Sequence, residues 1–387
     1  MKNLKYGLAF FFILFIYGKS GGNRASDVSS RGDLPSEPPF IVSKADTISK
    51  TIDGIIHKAH FNGSILVGYK DYVLYENAIG LINLRTNDSL SAETPFQLAS
   101  VSKSFTALAV LMLVQDSLLD LEDKVKNHIP EFPYPTVTVK HLLNHTSGIP
   151  NYFNLATRYW PKNKPMNNED MLKLLVKHKL RLQFTPGTKF SYSNTGYAVL
   201  ALLVERVSKT SFNEFLKNRI FIPLGMYHTF TYDRQTMDTI ATALGHRSSH
   251  PNTSLFEYDP IDEVLGDKSI FSTPADLFQY NQAWTTDILI KENLRKEAFT
   301  RATLKNHSTV DYGFGWRFKK IEGKDIIYHN GLWHGFTATY TRIPDNELTI
   351  IILNNTNSHV STIAQQIWKE IAPILELEQS QQSTAIN

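Results

Sequence analysis

The chain has 387 residues, 42% of them hydrophobic, with a formal charge of +3 and no cysteine. That length and apolar content support a sizeable globular core, and the missing thiols exclude disulfides, a cysteine nucleophile, thiolate zinc sites and a lipid-modified N-terminal cysteine. Lys2, Lys5 and Lys19 stand in the first twenty residues with no acid among them, so the remainder is formally neutral and gives no electrostatic reason to expect a nucleic-acid partner.

Residues 1–20 join that basic start to an apolar stretch over 7–17 and small residues at Gly18 and Ser20, the three parts of a signal peptide for export. The apolar stretch is shorter than the roughly 20 residues that cross a bilayer. Cleavage is therefore expected, with an uncleaved anchor as the alternative, and the mature protein is expected to be periplasmic or secreted with no stable membrane span. Residues 21–43, rich in Ser, Gly, Asp, Arg and Pro, read as a flexible linker, and 378–387 as a polar tail.

Folded structure is expected over 44–377. Ile48, Ile52, Ile55 and Ile56 recur at i, i+4, i+7 and i+8, the period of an amphipathic helix, and 63–69 with 72–79 read as a hairpin. Helical signals broken by Pro and Gly turns follow at 102–115, 137–144, 169–178, 195–208, 212–219 and 274–284. After Val310 the pattern changes to strands at 313–319, 325–329, 336–342 and 348–353, and a helix over 360–375 closes the domain. The expected fold class is α/β (α+β): an antiparallel sheet from the N- and C-terminal segments (44–99 and 302–377) flanked by helices, plus an all-helical subdomain (100–301). Such a layout places a cleft between the two parts.

Three residue sets carry chemistry. Ser100 and Lys103 are the only Ser-x-x-Lys pair in the chain, and three-residue spacing stacks both side chains on one helical face. A desolvated amine accepts a hydroxyl proton, which makes Ser100 a nucleophile; an ordinary helix start with a solvated lysine is the alternative. Tyr192 and Asn194 lie in a Pro- and Gly-rich turn leading into a helix, where a phenol whose pKa a nearby cation lowers is a general base and an aromatic plug beside a helix cap is the alternative. His329-Asn330-Gly331 ends a predicted strand, and its glycine lets a ligand approach the backbone, although His329 also reads as a satisfied strand histidine.

In this order, Ser100-x-x-Lys103, Tyr192-x-Asn194 and His329-x-Gly331 resemble the three active-site elements of the serine penicillin-recognising enzymes, nearest to class C β-lactamases and D-alanyl-D-alanine carboxypeptidases. The likeness runs from about 46 to 375 and includes the segments 119–125, 141–148, 222–226 and 312–316. The resemblance implies a β-lactamase/DD-peptidase-like fold and a serine hydrolase. Ser100 would attack a carbonyl, Lys103 and Tyr192 would share the proton transfers, and Asn194 would orient the substrate amide while contacting Lys103. Backbone N–H groups of Ser100 and Leu332 would form the oxyanion hole, and an acyl-enzyme would be released by water.

Two departures stand out. Asn330 and Leu332 occupy places where the family usually carries hydroxyls that help hold a terminal carboxylate, and His329 keeps a cationic option where lysine would be permanent. Lys268, in the segment 266–273 where many relatives have a Gly-Gly turn, reads as a solvated loop lysine, with a charge supplied to the cleft as the alternative.

The expected substrate is a small molecule or peptide: a cell-wall peptide cut next to a D-residue, or a β-lactam or short-chain ester. The chain is expected to be monomeric and to need no cofactor. A different class of reading is a non-turnover penicillin-binding sensor. Zinc at His141 and His145 is the rival chemistry, but Leu142 stands where the zincin glutamate would be and no third ligand is evident, so no metal is expected and His145 reads as a capping or packing residue.

Overall fold

The computed structural model describes residues 39–385 except 238, 248–253 and 257–258. The signal expected over 1–20 and the linker up to residue 38 lie outside the described residues.

The first helix, α1 (Pro39–Lys58), begins four residues ahead of the expected linker end at 43. Proline fits the first helical turn, where its missing N–H has no intrahelical acceptor to lose. Strands β1 (Gly63–Tyr69) and β2 (Tyr72–Ile79) follow as a hairpin, and β3 (Arg317–Ile321), β4 (Lys324–Trp333), β5 (Phe336–Ile343) and β6 (Leu348–Asn354) come from the far end of the chain. They form one antiparallel six-stranded sheet in the order β3-β4-β5-β6-β1-β2, so β1 joins the two chain ends by pairing with β6 from Gly63↔Asn354 to Tyr69↔Leu348.

Both sheet faces are covered, which explains why β6 reads as an almost unbroken apolar run. Ile350 and Ile352 point to one side with Ile65 and Val67, against α1 and the closing helix α9 (Val360–Ala385); Ile351 and Leu353 point to the other, into the larger core. The closing helix continues through the expected polar tail as far as Ala385. Its last stretch contains no Gly or Pro to stop it, and Glu, Gln, Leu and Ala have high helix propensity.

Between the two sheet segments lie helices α2 (Ser102–Gln115), α3 (Val139–Leu143), α4 (Tyr152–Tyr159), α5 (Asn168–His178), α6 (Asn194–Ser208), α7 (Phe212–Leu216) and α8 (Pro274–Tyr280). Residues 102–113 of α2 are buried on every side, as expected of a helix that is apolar all round, and α2 packs against α6. The helix expected over 274–284 breaks at Asn281 into two pieces, and the strand expected from 313 starts only at Arg317, after an irregular Gly-x-Gly loop. This middle region also holds short strands, including Phe96–Gln97, Phe230–Thr231 and Ile270–Ser272, which pair into a small sheet. Runs of two or three residues are too short to display an alternation.

Candidate active site

Ser100 sits in a single 3-10 turn (Ala99–Val101) immediately before α2, with Ala99 at φ +47°. The turn is anchored on both flanks. Leu98 N–H donates to the Ile270 carbonyl at 2.8 Å, and Ile270 N–H donates to Ser102 Oγ at 3.1 Å. From the other side β4 presses against it at Gly331, where a Cβ would stand 2.2 Å from the Leu98 carbonyl oxygen. Only glycine allows that approach. Gly331→Ala is expected to push Ser100 out of line, cutting turnover by about 100-fold and lowering stability by about 1–3 kcal/mol; steady-state kinetics and a urea melt check both.

One turn into α2, Lys103 is wholly buried, with Nζ 3.0 Å from Ser100 Oγ and donating at 2.6 Å to the Asp267 carbonyl. Burial lowers its pKa to about 7; Asp267 opposes that shift and Arg317 adds to it. Near neutral pH the neutral amine is therefore accessible, with a lone pair free for the serine proton.

Tyr192 completes the group. Its ring centroid lies 5.0 Å from Lys103 Nζ and 5.0 Å from the Arg317 guanidinium carbon. The sequence expectation was a phenol with a lowered pKa. Instead, burial raises it, outweighing the Ser100 hydroxyl and the Arg317 charge, so Tyr192 rests as a protonated donor. Behind it, the His145 ring lies 4.2 Å away and His145 Nδ1 accepts from the Ser193 N–H, which matches the packing and capping role expected of this histidine. His141 and His145 do not share a helix, because α3 ends at Leu143; His145 lies beyond it at φ +58°, while His141 Nδ1 meets Thr138 at the helix start.

Ser100 and Asn194 open on a cavity of about 430 Å³ that Phe153, Phe256, Asp267, Lys268, Leu332 and Trp333 also line. Asn194 opens α6 at the cavity, but among the described residues Lys103 bonds to Ser100 and the Asp267 carbonyl rather than to Asn194. Trp333 donates its indole N–H to Asp262 at 2.8 Å.

The third motif divides. His329 is buried, with Nε2 3.0 Å from the Tyr312 hydroxyl and Nδ1 2.8 Å from the Asn330 carbonyl. Burial, reinforced by the charges of Lys103 and Arg317, drops its pKa well below the usual value, so the expected cationic option is not realised at neutral pH. Asn330 points the other way: it lines a groove with Tyr328, Thr339 and Trp368 against the closing helix, and its Oδ1 accepts from Thr339 Oγ1 at 2.8 Å. Strand alternation forces this, because His329 and Gly331 both face the site. Leu332 is 68% exposed at the cavity. The two-residue turn His334-Gly335, both at positive φ, makes Trp333↔Phe336 the closing pair, so the next pair, Leu332↔Thr337, turns its backbone groups away from β5. That edge is unpaired there, since β3 stops opposite Tyr328.

Lys268 is not the solvated loop lysine expected. It is 2% exposed, and its three ammonium protons meet Tyr152 Oη at 2.8 Å, the Val264 carbonyl at 3.3 Å and Asp267 Oδ1 at 3.3 Å. The Tyr152 hydroxyl in turn donates to Asp267 Oδ2 at 3.2 Å. The trio fixes the segment whose Asp267 carbonyl holds Lys103. Lys268→Met leaves the Asp267 carboxylate buried and unpaired, and is expected to destabilise the fold by about 3–5 kcal/mol in denaturant melts.

A sequence model of the β-lactamase family matches residues 48–369. Penicillin-binding protein 4* of Bacillus subtilis (strain 168) is 35% identical over 311 residues, covering 77% of this chain and 69% of that protein. Protein flp of Staphylococcus aureus (strain N315) is 28% identical over 326 residues, 80% of this chain but 63% of the relative's length. Among solved structures, a penicillin binding protein from Bacillus halodurans superposes with a TM-score of 0.73 at 24% identity, covering 84% of this chain and 98% of that one. The octameric penicillin-binding protein homologue from Pyrococcus abyssi gives 0.72 at 24%, with 87% and 77% covered. D-amino acid amidase from Ochrobactrum anthropi SV3, complexed with D-phenylalanine, gives 0.72 at 20%, with 84% and 99% covered. With its antiparallel sheet, its helical middle and a serine beside a buried lysine, the chain belongs to the β-lactamase and penicillin-binding-protein family of serine hydrolases.

Proposed function

We propose that this protein is an exported hydrolase that forms an acyl-enzyme on Ser100 and cuts the peptide bond next to a D-residue in cell-wall peptides. The observation that carries the reading is the 3.0 Å contact between Ser100 Oγ and an amine whose pKa is lowered to about 7. Lys103 takes the hydroxyl proton as Oγ attacks the substrate carbonyl. Tyr192 delivers a proton to the leaving group, and Asn194, at the cavity edge, orients the substrate amide. The Ser100 and Leu332 N–H groups receive the carbonyl oxygen, each worth about 3 kcal/mol to the transition state. Water then enters the cavity and releases the acyl group.

The D-residue preference is supported by the likeness of the three motifs and by the name of the 35% identical relative, a penicillin-binding protein. Export is supported by residues 1–20, and among the described residues no helix is long and apolar enough to cross a membrane. A monomeric working unit is supported by Ser100, Lys103 and Tyr192 all meeting within one chain.

One observation favours a second reading. Lys268, the lysine lining the cavity, spends its protons on Tyr152, Val264 and Asp267, so the site suits a neutral-ended amide or ester better than a free carboxylate. A panel decides: a D-Ala-D-Ala peptide, the same peptide as its C-terminal amide, a p-nitrophenyl ester and a chromogenic cephalosporin. Faster release from the free acid supports carboxypeptidase action; faster release from amide or ester supports the second reading. Cephalosporin turnover marks a β-lactamase, and labelling without turnover of any substrate marks a sensor.

A further inference from the structure

Arg317 opens β3 beside the phenol of Tyr192. Its guanidinium carbon lies 5.0 Å from the Tyr192 ring centroid and 5.6 Å from that of Tyr312, and its charge lowers the Tyr192 pKa. The placement is built in. A tight loop carries it, with Gly313 N–H donating to the Trp316 carbonyl at 2.9 Å and Phe318 N–H to the Asp311 carbonyl at 3.1 Å. Gly315 in that loop stands at φ +77°, and a Cβ on it would be 2.9 Å from the Lys103 carbonyl oxygen. The loop bearing Arg317 thus rests on the same helical turn that carries Lys103.

Arg206, Arg219, Arg295 and Arg301 each pair with a carboxylate. Among the described residues no carboxylate pairs with Arg317, so its charge faces the Tyr192 and Tyr312 rings. His329, the basic group of the third motif, lies near Tyr192 and is neutral at neutral pH.

We propose that Arg317 is a positioning residue for proton delivery: it stabilises the Tyr192 phenolate that forms when the phenol protonates the leaving group. The inference rests on the Ser100 acyl-enzyme reading. Ser100 Oγ forms its bond to the carbonyl carbon and gives its proton to neutral Lys103. As the bond to the leaving group breaks, Tyr192 Oη gives that group its proton. The Lys103 ammonium then returns one proton to Tyr192, so the serine proton ends, in balance, on the leaving group. During the step the phenolate faces Lys103 from α2, Arg317 from β3, His145 and Tyr312 from the surrounding loops, His329 from β4 and the more distant Asp267. Arg317 is the cation there that cannot lose its charge. The resting phenol is consistent with this, since burial and, less strongly, Asp267 raise Tyr192 while Arg317 pulls it back.

The test compares N-acetyl-D-alanine methyl ester, whose alkoxide must be protonated, with the p-nitrophenyl ester of the same acyl group, whose anion leaves unaided. Arg317→Ala is expected to lower kcat/KM for the methyl ester by about 100-fold but for the p-nitrophenyl ester by less than about 3-fold. Arg317→Lys is expected to recover most of the loss, and Arg317→Ala in a Tyr192→Phe background to cost nothing further. Thermal melts of both arginine variants check folding, and the ratio of the two esters within one preparation is independent of the folded fraction. Equal losses on both esters, or a loss that persists without the phenol, overturn the proposal. If Ser100→Ala retains activity, it is the acyl-enzyme reading itself that fails.

Discussion

Ser100→Ala is expected to abolish turnover of every substrate the native chain cleaves, by at least about 10⁴-fold, because it removes the hydroxyl held 3.0 Å from the Lys103 amine. Ser100 is only partly buried, and removing its hydroxyl leaves the Lys103 amine its bond to the Asp267 carbonyl, so stability is expected to change by no more than about 0.5 kcal/mol. Matched thermal melts and kinetics check this pair of outcomes. Lost activity with an unchanged melt assigns the hydroxyl to chemistry; retained activity removes it from the mechanism.

Lys103 gives the second large effect and sets the pH dependence. The reactive form is the neutral amine, and with its pKa lowered to about 7 the amine is protonated below that value and free above it. Acylation, read as kcat/KM, is therefore expected to rise about tenfold per pH unit up to pH 7 and to level off above it. A lysine at its ordinary value of 10.5 would show no plateau before pH 10. Lys103→Met keeps the buried volume without the amine and is expected to lose about 10³-fold in kcat/KM at unchanged or greater stability. Lys103→Arg places a permanent charge in a fully buried position already facing Arg317, and is expected to be both inactive and less stable.

Much of the fold is legible in the residues. The unbroken apolar run after Lys103 announces a helix buried all round, and the period-two and apolar strands near both chain ends announce a sheet closed by pairing β1 with β6. The contact between Ser100 and Lys103 in the candidate site is legible for a similar reason: Ser-x-x-Lys spacing is a local property of one helical turn. What escapes is set by neighbours distant in sequence. Lys268 looks like a loop lysine until Tyr152 and the Val264 carbonyl, brought in from elsewhere, enclose it. Whether Tyr192 is raised or lowered depends on burial outweighing the Ser100 hydroxyl and the Arg317 charge, a balance that no motif records. Arg317 follows a framework segment with no pattern of its own, and only the fold turns it toward the phenol. Asn330 was within reach: if His329 and Gly331 face the site, alternation along β4 sends the residue between them to the other side.

The central claim, an acyl-enzyme on Ser100 driven by the neutral Lys103 amine, is tested most directly by mapping a fluorophosphonate or acyl adduct by mass spectrometry across pH. The adduct is expected on Ser100 within the tryptic peptide 86–103, forming at a rate that climbs with pH and levels near pH 7. An adduct on Ser89, Ser91 or Ser102 of that peptide, on another peptide, or a rate on Ser100 indifferent to pH between 5 and 8, would contradict it.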